Sequence, residues 1–319
     1  MCHILAAQAK TVVAPLDRVK ILFQTANPDF QKYAGTWHGA YRAGRDIYKV
    51  SGIRGLLQGH SATLLRVFPY AAVQFMAYEQ VHHRYLLAYA GVISVLFTYP
   101  LEVIRVRMAY QTRIANESSL HRSRTSLARI VSLIYSESST SMSSSANKLP
   151  SLLLASSIMK SQLSFAPSTV AQTQKRLFSC FPLLKFYRGF SVTVMGMIPY
   201  AGTSFLTWGF LRSHIVQPPT ASSPQPGLNP LVNLVIGALS GAIAQTVSYP
   251  FEVVRRRMQV GGLTRPDRWL QLSETVGTVW ATGGWRGFFA GLGIGYIKIV
   301  PMTAVTYTVW QEGKRVLGV

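Results

Sequence analysis

One short pattern occurs three times in this chain, each time at the end of an apolar stretch, and it constrains the fold more than any other feature. The pattern is a proline, any residue, an acid, two further residues and a base. It spans Pro15–Lys20, Pro100–Arg105 and Pro250–Arg255. One such match would mean little, but three at equivalent places indicate an internal three-fold repeat.

A second proline-centred element follows each signature, and its prolines are Pro69, Pro199 and Pro301. Each repeat therefore predicts an apolar helix, the acid–base signature, an amphipathic stretch, a glycine turn and a second apolar helix. A membrane-spanning helix needs about 20 residues, and its backbone polar groups must be paired within the segment. We predict an all-α membrane protein with six spanning helices near residues 1–25, 59–84, 85–111, 189–213, 229–259 and 287–316.

The predicted repeats are unequal in length. They cover residues 1–84, 85–213 and 229–319, and the two prolines of the second repeat are 99 residues apart, against 54 and 51 in the others. The extra residues, about 136–180, include a serine-rich run that cannot build a core. We therefore predict a mobile inserted loop there.

The connection before the third helix is short. Pro69 and Pro100 are 31 residues apart, whereas Pro199 and Pro250 are 51 apart. Either the third helix is shortened, or a coding segment has been lost from the chain. If a coding segment has been lost, the alternative function class is a degenerate membrane protein that does not transport.

Composition and charge exclude several other classes. Charged residues make up 13% of the chain, against about 25% in soluble domains, and the net charge is +21. An apolar chain with a basic excess fits anionic solutes and membranes better than nucleic acid. No catalytic constellation or metal-ligand spacing is present, and two cysteines make no disulfide framework. We expect no enzyme activity, no cofactor, no metal and no nucleic-acid partner.

The triple signature, with its glycine–aromatic–base–glycine turn, resembles the mitochondrial carrier family over nearly the whole chain outside the insertion. The resemblance implies a monomeric six-helix barrel around a central cavity, with a short matrix helix in each repeat, in the mitochondrial inner membrane. Residues 14–24 and 58–66 look like the coenzyme A carriers, a group with fungal members and the Graves disease carrier. This implies transport of coenzyme A or a related adenine-containing anion, by alternating access or exchange with adenine nucleotide. An adenine-nucleotide carrier, of ADP/ATP or ATP-Mg/phosphate type, is the alternative.

The resemblance also implies a matrix-side gate of ion pairs between neighbouring odd helices. The matching pairs are Asp17 with Arg105, Glu102 with Arg255, and Glu252 with Lys20. Ionisable groups at membrane depth are costly unless they are paired or face water, which supports pairing. The alternative is local pairs within each helix, because an acid and a base three residues apart share a face.

Two further features of the gates follow from the same resemblance. A supporting glutamine is expected two residues after each base, where this chain has Leu22, Arg107 and Arg257, so we predict an unsupported ring. The matching charges of a cytoplasmic gate, at the ends of the even helices, are Glu79, Arg212 and Lys314. Since only one of them is acidic, this gate is expected to open easily.

Candidate substrate contacts lie three residues before the prolines of the even helices. Arg66 and Lys298 are lone cations inside apolar segments, which is typical of functional sites, and both side chains suit phosphate. They are expected to face one aqueous cavity; the alternative is that they extend to the membrane surface. Gly196 and Met197 resemble the family's adenine pocket, with close helix packing as the alternative for Gly196.

A weaker resemblance concerns lipid. Arg188, Gly189 and Gly291 are similar to residues of the family's cardiolipin sites, where backbone N–H groups at a helix start can hold a lipid phosphate.

Overall fold

The computed structural model describes residues 2–33, 38–79, 84–111, 127–136, 182–215, 230–264 and 271–299, with 301, 302, 305 and 308. Regular structure within these ranges is helical and contains no strand, so the predicted all-α class is confirmed. Residues 137–181 lie outside the described ranges, and the prediction of a mobile loop over 136–180 therefore stays a prediction.

The helices follow the predicted three-fold order of long, short and long. They are α1 (Cys2–Gln24), α2 (Gly39–Leu56), α3 (His60–Glu79), α4 (Arg84–Tyr110), α5 (Leu127–Ser136), α6 (Phe190–Ile215), α7 (Pro230–Thr264), α8 (Leu272–Gly287) and α9, over 292–299. Two short 3-10 helices cover Gln31–Tyr33 and Pro182–Tyr187. The first five predicted spans agree with α1, α3, α4, α6 and α7 to within about six residues, and α9 lies inside the sixth.

The first helix of each repeat lies at the centre of the described packing. Helices α1, α4 and α7 each contact the other two, while α3 packs along α4 and α6 along α7. The signature prolines lie inside these three helices, which continue as helix through them. The three acid–base signatures are thereby brought to a common level where the helices meet.

The short connection before the third helix affects the loop more than the helix. Pro100 lies 16 residues after the start of α4 at Arg84, and Pro250 lies 20 residues after the start of α7 at Pro230. Four residues separate α3 from α4, whereas 14 separate α6 from α7. The signature in α4 therefore sits at nearly the same depth in its helix as the one in α7.

Apolarity alone identifies one spanning helix. Among the described helices, Val232–Thr264 passes the length and composition test for crossing a membrane. The other described long helices do not pass this test. The prediction of six spans therefore depends on the repeat and not on the apolarity of each segment.

Each repeat has its own buried apolar cluster, in which the short helix packs on the long helix before it. Ile47 of α2 packs with Leu22 of α1, and Val279 of α8 packs with Val254 of α7. In the second repeat, the buried isoleucines of α5 contact Ile104 of α4. These clusters fix the orientation of α1, α4 and α7, so that the signature residues of the three helices face one another.

A left-handed glycine precedes each of α3, α6 and α9. Gly59, Gly189 and Gly291 have φ values of +89°, +79° and +83°. A Cβ atom on Gly189 would lie 3.3 Å from the Tyr99 hydroxyl and 3.4 Å from the Arg255 carbonyl oxygen. Only glycine adopts this conformation without strain, so the residue type permits the turn to pack on the next repeat's signature.

We expect Gly189→Ala to destabilise the protein by about 1–2 kcal/mol, the cost of a left-handed L-residue. Its unfolding temperature in detergent should fall by several degrees. Gly202→Ala is the matched control, since Gly202 lies within α6 and a Cβ there meets nothing within 4 Å. Equal unfolding temperatures for the two variants would contradict this account of the turn.

Candidate functional site

All three interhelical ion pairs that the family resemblance implies are present. Nη2 of Arg105 lies 3.0 Å from the Asp17 carboxylate, and Nη2 of Arg255 lies 2.8 Å from that of Glu102. In the third pair, Lys20 Nζ is 3.0 Å from Glu252. These contacts join α1 to α4, α4 to α7 and α7 to α1, and we call them the ion-pair ring. Among the described residues one contact of the alternative, local kind occurs, between Arg105 and Glu102 at 3.9 Å.

Glu102 is the most heavily paired acid of the ring. Besides Arg255, its carboxylate meets Arg256 at 2.6 Å and Arg66 at 3.2 Å, and it lies 3.9 Å from Arg105. Its side chain is 4% exposed, so bulk water screens these charges little. One carboxylate thus binds guanidinium groups from α3, α4 and α7.

The two candidate substrate cations both reach this ring. Arg66 forms its ion pair with Glu102, and Lys298 Nζ donates to Asp17 at 2.9 Å. The prediction of lone cations is therefore wrong. An unpaired charge in an apolar setting is costly, and each long side chain reaches the nearest carboxylate instead. For the same reason neither side chain shows the alternative arrangement, extension to the membrane surface.

The ring, the two candidate substrate cations and Arg256 together carry an excess of positive charge. Three acids face six bases, namely Asp17, Glu102 and Glu252 against Lys20, Arg66, Arg105, Arg255, Arg256 and Lys298. The excess of three charges favours an anionic ligand at this level.

Two buried glutamines adjoin the ring, contrary to the prediction of an unsupported ring, which is wrong for α1 and α7. Gln259 accepts a hydrogen bond from Arg256 at 3.1 Å and donates to the Tyr99 hydroxyl at 3.2 Å. Gln24 donates to the Tyr249 hydroxyl at 3.1 Å. Both lie four residues after their signature base, not two. Because one helical turn is 3.6 residues, four-residue spacing was the signal that could have found them.

Sequence reasoning also missed two tyrosines that precede the signature prolines. The Tyr99 hydroxyl donates to the Arg188 carbonyl oxygen at 2.7 Å, and the Tyr249 hydroxyl donates to that of Ala290 at 2.9 Å. Both tyrosines are nearly fully buried in the protein. They tie the turns that contain Gly189 and Gly291 to the glutamines beside the ring.

Gly196 and Met197 are placed at helix contacts. A Cβ atom on Gly196 would lie 3.0 Å from Cβ of Phe251 in α7, and Met197 Cε lies 3.8 Å from the Cβ position of Gly91 in α4. This geometry supports close packing as the role of Gly196. The adenine contact stays a prediction.

The proposed cytoplasmic gate falls mostly outside the described part of the chain. Arg212 is exposed near the end of α6, Glu79 is the last residue of α3, and Lys314 lies beyond the described residues. Nothing in the described geometry tests that gate. The described residues also contain no group of three potential metal ligands.

Comparison with known proteins now decides the family. The family model described as mitochondrial carrier protein matches residues 3–87 and 226–319. The chain belongs to the mitochondrial carrier family. The matched ranges cover the first and third repeats, and the second repeat, with its insertion, lies between them.

Relatives of this carrier are similar over almost the full chain. An uncharacterized mitochondrial carrier of Schizosaccharomyces pombe is 40% identical, over 98% of this chain and 90% of its own length. The mitochondrial carrier protein LEU5 of Saccharomyces cerevisiae is 38% identical, over 98% and 87%. Human solute carrier family 25 member 16 is 34% identical, over 96% and 84%. This carrier is therefore a mitochondrial membrane protein of a transporter family.

We expect Glu102→Gln to destabilise the carrier by about 3–5 kcal/mol, because it removes the one charge that offsets several buried guanidinium groups. Glu252→Gln should cost clearly less, since Glu252 pairs with one base and its side chain is 26% exposed. Thermal unfolding of both variants in detergent measures the order. An equal or reversed order would contradict the central role of Glu102.

Proposed function

We propose that this mitochondrial carrier moves coenzyme A, or a related adenine-containing anion, across the inner membrane by alternating access in exchange for an adenine nucleotide. The observation that carries the proposal is that Arg66 and Lys298, the two candidate phosphate ligands, are bound to carboxylates of the ion-pair ring. The resemblance of residues 14–24 and 58–66 to coenzyme A carriers, and the similarity to LEU5 and to member 16, support the choice of substrate.

The substrate's phosphate groups would displace the carboxylates from these two cations. The Arg66 Nε–Glu102 contact of 3.2 Å is an ion pair without hydrogen-bond geometry, and neither atom has a hydrogen-bond partner. A phosphate can satisfy guanidinium through two parallel hydrogen bonds, so it competes well for Arg66. The face of the Tyr70 ring, 5.9 Å away, helps to keep the guanidinium in place.

Displacement of the carboxylates links binding to opening. Glu102 and Asp17 each lose one partner when phosphate takes Arg66 and Lys298, and both acids belong to pairs that join α4 to a neighbour. A ligand shifts a conformational equilibrium only by its difference in affinity for the two states. The substrate binds the opened state more tightly, because its contacts to the two cations replace contacts that favour the closed ring.

The charge of the site suits a polyphosphorylated ligand. Coenzyme A carries a pyrophosphate and a separate 3′-phosphate, and the ring level holds three positive charges in excess. ADP and ATP share the pyrophosphate chemistry, so an adenine-nucleotide carrier is the alternative. We assign the adenine to the α6 face near Gly196 and Met197 in either case. The complete ring and the intact α4 argue against a degenerate, non-transporting protein.

A lipid site completes the proposal. A cavity of about 680 Å³ lies beside the start of α9, lined by Gly291, Trp285 and two arginines, Arg257 and Arg286, among others. Backbone N–H groups at a helix start and basic side chains favour a lipid phosphate. We assign cardiolipin to this cavity and to the turn of Arg188 and Gly189, on a monomeric multi-pass carrier.

We expect Arg66→Gln and Lys298→Gln each to reduce uptake at least tenfold, because a charge-assisted hydrogen bond to phosphate is worth about 1.5–3 kcal/mol. Uptake of labelled coenzyme A and of labelled ADP into proteoliposomes provides the measurement. Arg54→Gln is the control, since Arg54 is exposed in α2.

The two substrates separate the candidate functions. Faster uptake of coenzyme A supports the proposal, and uptake of ADP alone favours the adenine-nucleotide carrier. Transport at the wild-type rate by both Arg66→Gln and Lys298→Gln would remove the proposed binding site, and a wild-type protein that moves neither solute would overturn the proposed function.

A further inference from the structure

Toward the C-terminal ends of α1, α4 and α7, just beyond the ion-pair ring, apolar side chains from all three helices meet. Ile21 of α1, Val106 and Ala109 of α4, and Val260 of α7 are at most 4% exposed and form one cluster. Tyr110 and Leu263 pack against it. An apolar contact of this kind excludes water from the place where the three helix ends meet.

Three arginines connect the same helix ends to one another through backbone carbonyls. Nη2 of Arg18 donates to the Gln111 oxygen at 3.1 Å, and its Nε donates to that of Ala109 at 3.4 Å. Arg107 Nε donates to the Gln259 oxygen at 3.1 Å.

The third arginine completes the circle, because Arg257 Nε donates to the Gln24 oxygen at 3.4 Å. The bonds therefore run from α1 to α4, from α4 to α7 and from α7 back to α1. We call Arg18, Arg107 and Arg257 the arginine clasp. Two of its members occupy the positions where sequence reasoning expected a glutamine.

The acceptors are suited to a cation. Gln24 is the last residue of α1 and Ala109 is one residue before the end of α4, and terminal carbonyls lack intrahelical partners. Cations at helix C-termini are also favoured by the helix dipole. Gln259 lies five residues before the end of α7, where a carbonyl can accept a second hydrogen bond through its other lone pair.

We propose that the arginine clasp is a second closure of the carrier, separate from the ion-pair ring, that keeps this end shut while the ring is being released. The inference rests on the proposed function, since it concerns how substrate opens the ring. Substrate phosphate displaces carboxylates from Arg66 and Lys298, whereas the clasp arginines bind backbone carbonyls of the neighbouring helices. Arg18 and Arg107 are 3% and 1% exposed, so an incoming anion does not reach them before the helix ends separate.

Such a closure limits leakage. A carrier whose ring is partly released, by a poor substrate or by thermal motion, stays closed as long as the clasp and the apolar cluster hold. The clasp residues are therefore positioning residues, which act on the helix ends and not on the substrate.

The test uses liposomes that contain labelled coenzyme A. It compares leak, which is efflux without a solute to exchange for, with exchange. Efflux is measured without and with unlabelled coenzyme A outside, for the wild type, Arg107→Gln, Arg107→Lys and Arg257→Gln. We expect each glutamine variant to raise the ratio of leak to exchange roughly three- to tenfold, the effect of losing one hydrogen bond. Arg107→Lys should restore part of the closure because lysine still donates to a carbonyl. Arg129→Gln, at an exposed site on α5, should leave the ratio unchanged.

The ratio separates closure from mere stability. Misfolding lowers leak and exchange together and leaves their ratio at the wild-type value. An unchanged ratio therefore overturns the proposed closure, and so does an unchanged leak in well-folded variants. If the wild type moves no coenzyme A, the proposed function fails. The clasp is then tested by measuring iodide flux through liposomes with the same variants. A higher iodide flux in Arg107→Gln than in Arg129→Gln then supports the clasp, and equal fluxes overturn it.

Discussion

A single buried carboxylate, that of Glu102, holds positive charges from three helices within ion-pair distance. Guanidinium groups this close repel one another strongly in a poorly screened interior, so their convergence requires the acid. Arg255 and Arg256 bring α7 to it, and Arg66 brings α3. The ion pairs between α4 and α7, the position of Arg66 and the contact of Gln259 with Arg256 all follow from that convergence.

The same cations take part in closure and in the proposed recognition of substrate. Arg66 and Lys298 stabilise the ring when no ligand is bound, because each neutralises one of its acids. An anionic ligand that takes them away weakens the ring at the moment of binding. In the mechanism that we propose for this mitochondrial carrier, binding and opening are one exchange of partners, and no long-range pathway between a site and a gate is needed.

Much of this site could be predicted from the repeat. Each acid and base of the signature pairs with the neighbouring helix, as the resemblance to the mitochondrial carrier family implied. The prediction of lone cations was wrong, because Arg66 and Lys298 extend to carboxylates that lie far away in sequence. The supporting glutamines were missed because they lie four residues after the signature base and not two. Gly196 packs against Phe251.

The sequence by itself determined the family, the helical class and which residues could be charged partners, since the positions of prolines and charges and their three-fold spacing do not depend on how the helices pack. Tertiary structure alone decided how many partners each acid has, and that Tyr99, Gln259 and Arg256 form one hydrogen-bonded group. It also decided that Arg18, Arg107 and Arg257 bind carbonyls of neighbouring helices. The physical reason is that a hydrogen bond or ion pair depends on distances of a few ångströms between helices, and helix packing sets those distances.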